Sequence, residues 1–145
     1  MAYFVDRVRV FQPATIRLTF LIVGVFTFLF TELFRQRLRP IIRAMEINDW
    51  GFSDTIGNSG GILVQIFLSL AIINPTRTQS FQLDAFFSAG YIFYEFAQPY
   101  LPKGTFDWKD VLATLNGYFI AVVLLVYLWR MDDKRSTQIP FKADG

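Results

Sequence analysis

The chain has 145 residues, room for one domain, with 53% hydrophobic residues, 17 Phe, 18% charged residues and a mean hydropathy of +0.36. A soluble domain of this size could not hide so much apolar surface, so composition points to a small polytopic membrane protein. The net charge of +2, with 14 Lys and Arg in scattered small groups, excludes the dense basic face that nucleic acid requires; the absence of Cys and His excludes disulfides, thiolate or imidazole metal sites and Ser-His-Asp chemistry.

Pro13 can open a helix, because its missing N–H would be unsatisfied in a first turn anyway. The uncharged run that follows is bounded by Arg17 and Glu32 and predicts a first membrane helix over about 14–34. No small-x-small cleavage site succeeds it, so it reads as a retained helix rather than a signal peptide. The next stretch holds Arg35, Arg37, Arg39 and Arg43, with Leu38, Ile41, Ile42 and Met45 recurring at three and four. It fits either an amphipathic helix on the membrane surface or a solvated basic loop.

A second membrane helix is predicted over about 55–74. Its polar and small residues Asp54, Asn58, Gly61, Gln65 and Ser69 step by four and three along one face. Pro75 ends it, and the polar residues 74–80 form a short turn. The third helix, about 81–98, carries a stripe of Asp84, Ser88, Tyr91, Glu95 and Gln98 against faces rich in Phe. That stripe must meet protein or water, because an ionisable group facing lipid is expensive. Pro99, Pro102 and Gly104 then close the helix.

The fourth helix, about 108–129, starts at Asp107 as N-cap, with Asp110 in its first turn at the positive end of the helix dipole and Phe106 poised to staple onto Val111. Asp110, Thr114, Gly117 and Ala121 form a small-residue seam for close helix approach. Trp108, Tyr127 and Trp129 suit interfacial aromatic belts, and residues 130–145 read as a polar extended tail. The whole is an all-α, polytopic membrane protein of four transmembrane helices arranged as two hairpins, with a possible interfacial helix and one domain over 1–145. An echo between 30–36 and 93–98, each followed by an Asp-led helix start, hints at two similarly oriented hairpins, although the separations Glu32 to Asp54 and Glu95 to Asp110 differ. Eight basic residues lie on the side of the termini and six on the other, which places the termini in the cytoplasm.

Glu95-x-x-Gln98, a Pro/Gly loop, Asp107-x-x-Asp110 and Asn116-Gly117 together resemble the VanZ-like membrane proteins, and Asp54 with Asn58 stands where that family often has Asp followed by His. The likeness covers about half of the chain. It implies a bacterial four-helix inner-membrane protein with a polar cluster on one side; the founding members are linked to glycopeptide antibiotic resistance. The ligand-binding residues it nominates are Glu95, Gln98, Asp107, Asp110, Asp54 and Asn58, with Glu32 as a further candidate, and the ligand would be small and polar or lipid-linked. Each has a plain structural explanation beside it: Glu95 as a hydrogen-bonded buried carboxyl, Asp107 and Asp110 as caps, and Gln98, Asn58 and Gln65 as interhelical hydrogen bonds. The expected partner is membrane lipid, with no cofactor, no metal and no nucleic acid. A second reading is a non-catalytic accessory or structural subunit of a larger respiratory or photosynthetic membrane complex. An enzyme acting on an envelope lipid through paired carboxylates is the weakest reading, since no nucleophile is evident.

Overall fold

The computed structural model describes residues 14–49, 51–102 and 104–138, and it is all-helical there. Helix α1 (Ala14–Leu33) passes through a π-helical turn, Phe34–Leu38, into α2 (Arg39–Ala44). The expected break after residue 34 is therefore absent, and the Arg-rich stretch continues the first helix instead of lying apart from it. Pro40 stands in the first turn of α2; a proline inside a helix removes one N–H and crowds the carbonyl four residues back, and a widened π turn just before it accommodates that strain. Within α1 the hydroxyls of Thr19 and Thr27 donate to the carbonyls of Thr15 and Val23, at 2.9 and 2.8 Å, so neither needs an outside partner.

Helix α3 (Phe52–Ile73) is launched by a loop in which Gly51 adopts a left-handed φ of 82°. Asp49 holds that loop: Oδ1 accepts from Gly51 N at 3.0 Å and Oδ2 from Ser53 N at 2.7 Å. The Ser53 hydroxyl and these backbone donors keep the Asp49 carboxyl below the usual carboxylate range. A lowered folded-state pKa means that the stabilisation is complete above the unfolded value and disappears as pH falls through the folded one. The amide resonances of Gly51 and Ser53 should titrate with a midpoint below the ordinary Asp value of about 3.9, and Asp49→Ala should speed amide exchange in the first turn of α3 at neutral pH.

At its other end α3 stops at Asn74, φ 53°, whose N–H donates to Leu70 O. Helix α4 (Arg77–Ala97) then begins four residues earlier than expected. Thr76 and Gln79 form a capping box: Thr76 Oγ1 accepts from Gln79 N at 3.4 Å and Gln79 Oε1 from Thr76 N at 3.0 Å. A 3-10 turn, Gln98–Tyr100, ends α4, and α5 (Trp108–Gln138) continues well beyond residue 129, so the first part of the expected tail is helical. Arg77 pairs with Asp133 at 3.0 Å, tying the start of α4 to that extension.

Helix α3 is the hub, packed against α1, α5 and α4, and α4 also packs along α5. The core joins Phe20 of α1, Ile62, Ile66, Phe67 and Leu70 of α3, and Ala121, Leu125 and Trp129 of α5. Arg17 donates Nε and Nη2 to Ala71 O at 3.2 and 3.1 Å, while Gly60 abuts Thr31; α1 and α3 therefore run antiparallel. Ser59 Oγ donates to Ala113 O at 2.8 Å and Gly117 lies against Ser59 and Ile62, so α3 and α5 run parallel. Three helical stretches, Thr15–Ala44, Thr55–Ile73 and Trp108–Lys134, are long and apolar enough to cross a membrane. Helix α4 falls short by composition, because Asp84, Glu95 and their polar neighbours sit within it.

Candidate functional site

The polar stripe of α4 faces inward along its whole length. Ser80, Asp84, Ser88 and Glu95 are buried, Tyr91 and Gln98 are half-buried, and the opposite face exposes Phe86 and Phe93. At the Gln98 end the carboxyl of Glu95 is only 5% exposed, and Gln98 Nε2 donates to its Oε2 at 2.7 Å. The carboxylates of Asp110 and Asp107 lie close enough to act on it electrostatically. Gln98 is thus an intrahelical partner of Glu95 rather than an interhelical bond.

The start of α5 sets the other two carboxylates. Asp107 caps the helix, its Oδ1 accepting from Lys109 N at 2.9 Å, and Asp110 follows in the first turn, half-buried. Lys109 extends toward the loop before α3, with its ammonium against Gly51. Phe106 stacks on Phe96 with centroids 5.2 Å apart and meets Trp108 edge-on at 5.0 Å. These three rings fasten the α4–α5 connection beside the site. The expected partner of Phe106 is Val111; the visible signal for the ring cluster is Phe96, Phe106 and Trp108 within thirteen residues around a Pro/Gly loop.

Other nominated residues fall elsewhere. Asn58 is half-buried near the start of α3, and the side chain of Asp54, in the first turn, lies outside the described residues. Glu32 is engaged on its own helix by Arg35, at 2.9 Å, and by Gln36. The polar face expected on α3 does not turn into the bundle: Gln65 is exposed and donates to Ser69 Oγ of the same helix at 3.4 Å, and a Cβ at Gly61 would meet nothing within 4 Å. The buried face carries Ile62, Ile66 and Leu70 instead, and the polar bridge to α5 comes from Ser59. Asn116 is exposed, whereas Thr114, Gly117 and Ala121 of the predicted seam are buried.

The assembled feature is a carboxyl group tucked between the ends of α4 and α5 with two more carboxylates at its rim. Among the described residues no basic side chain pairs with Glu95, and no three ligand-type side chains converge closely enough to hold a metal ion. Such a site attracts hydrogen-bond donors or an ammonium group. Compared with models of known protein families, with curated proteins and with solved structures, the chain matches none.

Proposed function

We propose that the chain is a four-crossing, VanZ-like membrane protein that binds a small polar or lipid-linked ligand, with Glu95, Asp107 and Asp110 accepting hydrogen bonds from it. The observation that carries this reading is the burial of Glu95 with no cation paired to it among the described residues, since an ionisable group within a membrane bundle is by default a functional position. Gln98 takes up one carboxyl oxygen and keeps the group oriented. The neighbouring carboxylates make the site selective for donors and hostile to phosphates or other anions.

Four crossings follow from direction. If α3 and α5 both traverse the bilayer, side by side and parallel, the chain between them must return across it, and α4 is the helix that connects them. Its 21 residues span about 31 Å at roughly 1.5 Å each, matching a hydrocarbon core of about 30 Å. Its exposed Phe86 and Phe93 face lipid, while its hydrophilic stripe is enclosed by α3 and α5. The excess of basic residues on the side of the termini supports an orientation with the termini in the cytoplasm and the acidic site on the opposite surface, and the resemblance to VanZ-like proteins supports a bacterial inner membrane as the location.

Native mass measurement of protein extracted in a gentle detergent tests the reading. The wild type is expected as a small species carrying a lipid-sized adduct, and Glu95→Gln, which keeps the shape of the side chain, should lose at least nine-tenths of that adduct. An adduct of unchanged occupancy in Glu95→Gln refutes the site. Recovery of the protein solely within a large stable assembly would favour the accessory-subunit reading instead.

A further inference from the structure

A second buried carboxyl lies deeper on the same stripe and takes no part in the site described above. Asp84 is 0% exposed, and neither of its oxygens has a hydrogen-bond partner among the described residues; the Ser88 hydroxyl, one turn further on, is likewise buried without one. The helices packed on α4 bring no counter-charge. In α3 the residues from Thr55 to Ile73 carry none, and in α5 none lies between Val111 and Trp129. Toward that end of the bundle Arg17 donates to Ala71 O, Arg77 pairs with Asp133, and Arg130 of α5 is exposed. An isolated charge in such surroundings must be neutralised by something that the described residues do not supply.

From these observations we infer that Asp84 is a cation-binding position whose cation is a proton, and that the α4 stripe forms a proton path through the bundle. A carboxyl and one hydroxyl are too few oxygens for an alkali or alkaline-earth ion, which takes about six, whereas a proton needs one. Ser80, Asp84, Ser88, Tyr91 and Glu95 follow each other at intervals of four, four, three and four residues, or steps of about 4.5–6 Å at roughly 1.5 Å per residue. Each gap suits a single bridging water, and unsatisfied buried polar atoms are where such waters settle. The Asp84 carboxylate takes a proton from a hydronium ion on the side of the termini, whose O–H bond breaks to leave water as the carboxyl O–H forms, and then gives that proton to a water leading toward Glu95, which becomes hydronium; no electron changes hands. The path rests on the reading that α4 crosses the bilayer.

Proteoliposomes holding the full chain and a trapped pH dye test this under a potassium–valinomycin potential. The wild type should acidify the lumen at least fivefold faster than empty vesicles, Asp84→Asn should fall to the empty-vesicle rate, and Asp84→Glu should restore a measurable part of the flux. Elution of Asp84→Asn as a single species would establish that it folds, and if it does not, Ser88→Ala should lower the flux at least twofold. Wild-type vesicles no faster than empty ones, or equal flux in Asp84→Asn and wild type, overturn the proposal; a response only to a sodium gradient overturns the assignment of the proton. Because the chain has no native Cys, Thr78→Cys and Thr105→Cys report the crossing separately with an impermeant maleimide. Labelling from opposite sides without flux removes the proton path alone, and labelling from the same side removes the four-crossing reading.

Discussion

Phe20→Ala should destabilise the bundle by about 3–5 kcal/mol, the usual loss when a large buried aromatic is truncated. Phe20 is 0% exposed and stands where three helices meet: its ring lies 6.0 Å from that of Phe67 on α3 and 6.3 Å from that of Trp129 on α5. Lipid chains solvate an exposed phenyl ring nearly as well as protein does, so transfer out of water contributes little to holding helices together inside a bilayer. What remains is close packing, and a void at the junction loses contacts on all three sides. Phe26, six residues along the same helix but 69% exposed, is the internal comparison, and Phe26→Ala should stay within about 0.5 kcal/mol of wild type. Unfolding by increasing SDS in mixed micelles measures both; equal midpoints for the two variants would mean that the α1–α3–α5 junction does not hold the protein together.

The difference between those two phenylalanines was not legible in the sequence, and the reason applies across α1 and α3. Most positions on every face of α1 are apolar, and α3 has only a few polar ones, so periodicity distinguishes spans from loops without saying which side is inside. On α4 the polar residues are few and strictly spaced, and there the pattern Asp84, Ser88, Tyr91, Glu95 identified the buried face. A similar spacing on α3 misled, because Gln65 and Ser69 satisfy each other along their own helix and leave the interior to Ile62, Ile66 and Leu70. Short-range signals fared unevenly. Asp107 acts as the N-cap its position predicts, while Thr76-x-x-Gln79, inside the expected 74–80 turn, has the form of a capping box and starts α4 there. The pairing of Glu95 with Gln98 follows from their separation of three; the ring cluster beside it depends on how the 98–107 connection folds, which no periodicity encodes.

Glycines separate in the same way, and the sign of a single methyl group tells them apart. Gly117→Ala should cost about 1–3 kcal/mol, since a Cβ there would stand 2.8 Å from the Ser59 carbonyl oxygen and collide with Ile62, and a helix backbone cannot give way as a flexible side chain can. Gly61→Ala meets nothing within 4 Å and should gain up to about 1 kcal/mol from the better helix propensity of Ala. The SDS midpoint reports both, and a shift in the same direction for the two variants would contradict the parallel contact of α3 with α5. The consequence reaches the acidic site as well. Gly117 lies two turns beyond Asp110, so a methyl group that pushes α5 away from α3 also displaces Asp110 relative to Glu95. Gly117→Ala should therefore weaken ligand retention in native mass measurement even in molecules that remain folded, and Gly61→Ala should leave it unchanged. A variant that keeps the ligand while losing the expected stability would show that the carboxylate rim is fixed by the α4–α5 connection alone, through Phe96, Phe106 and Trp108, rather than by the packing of the helices below it.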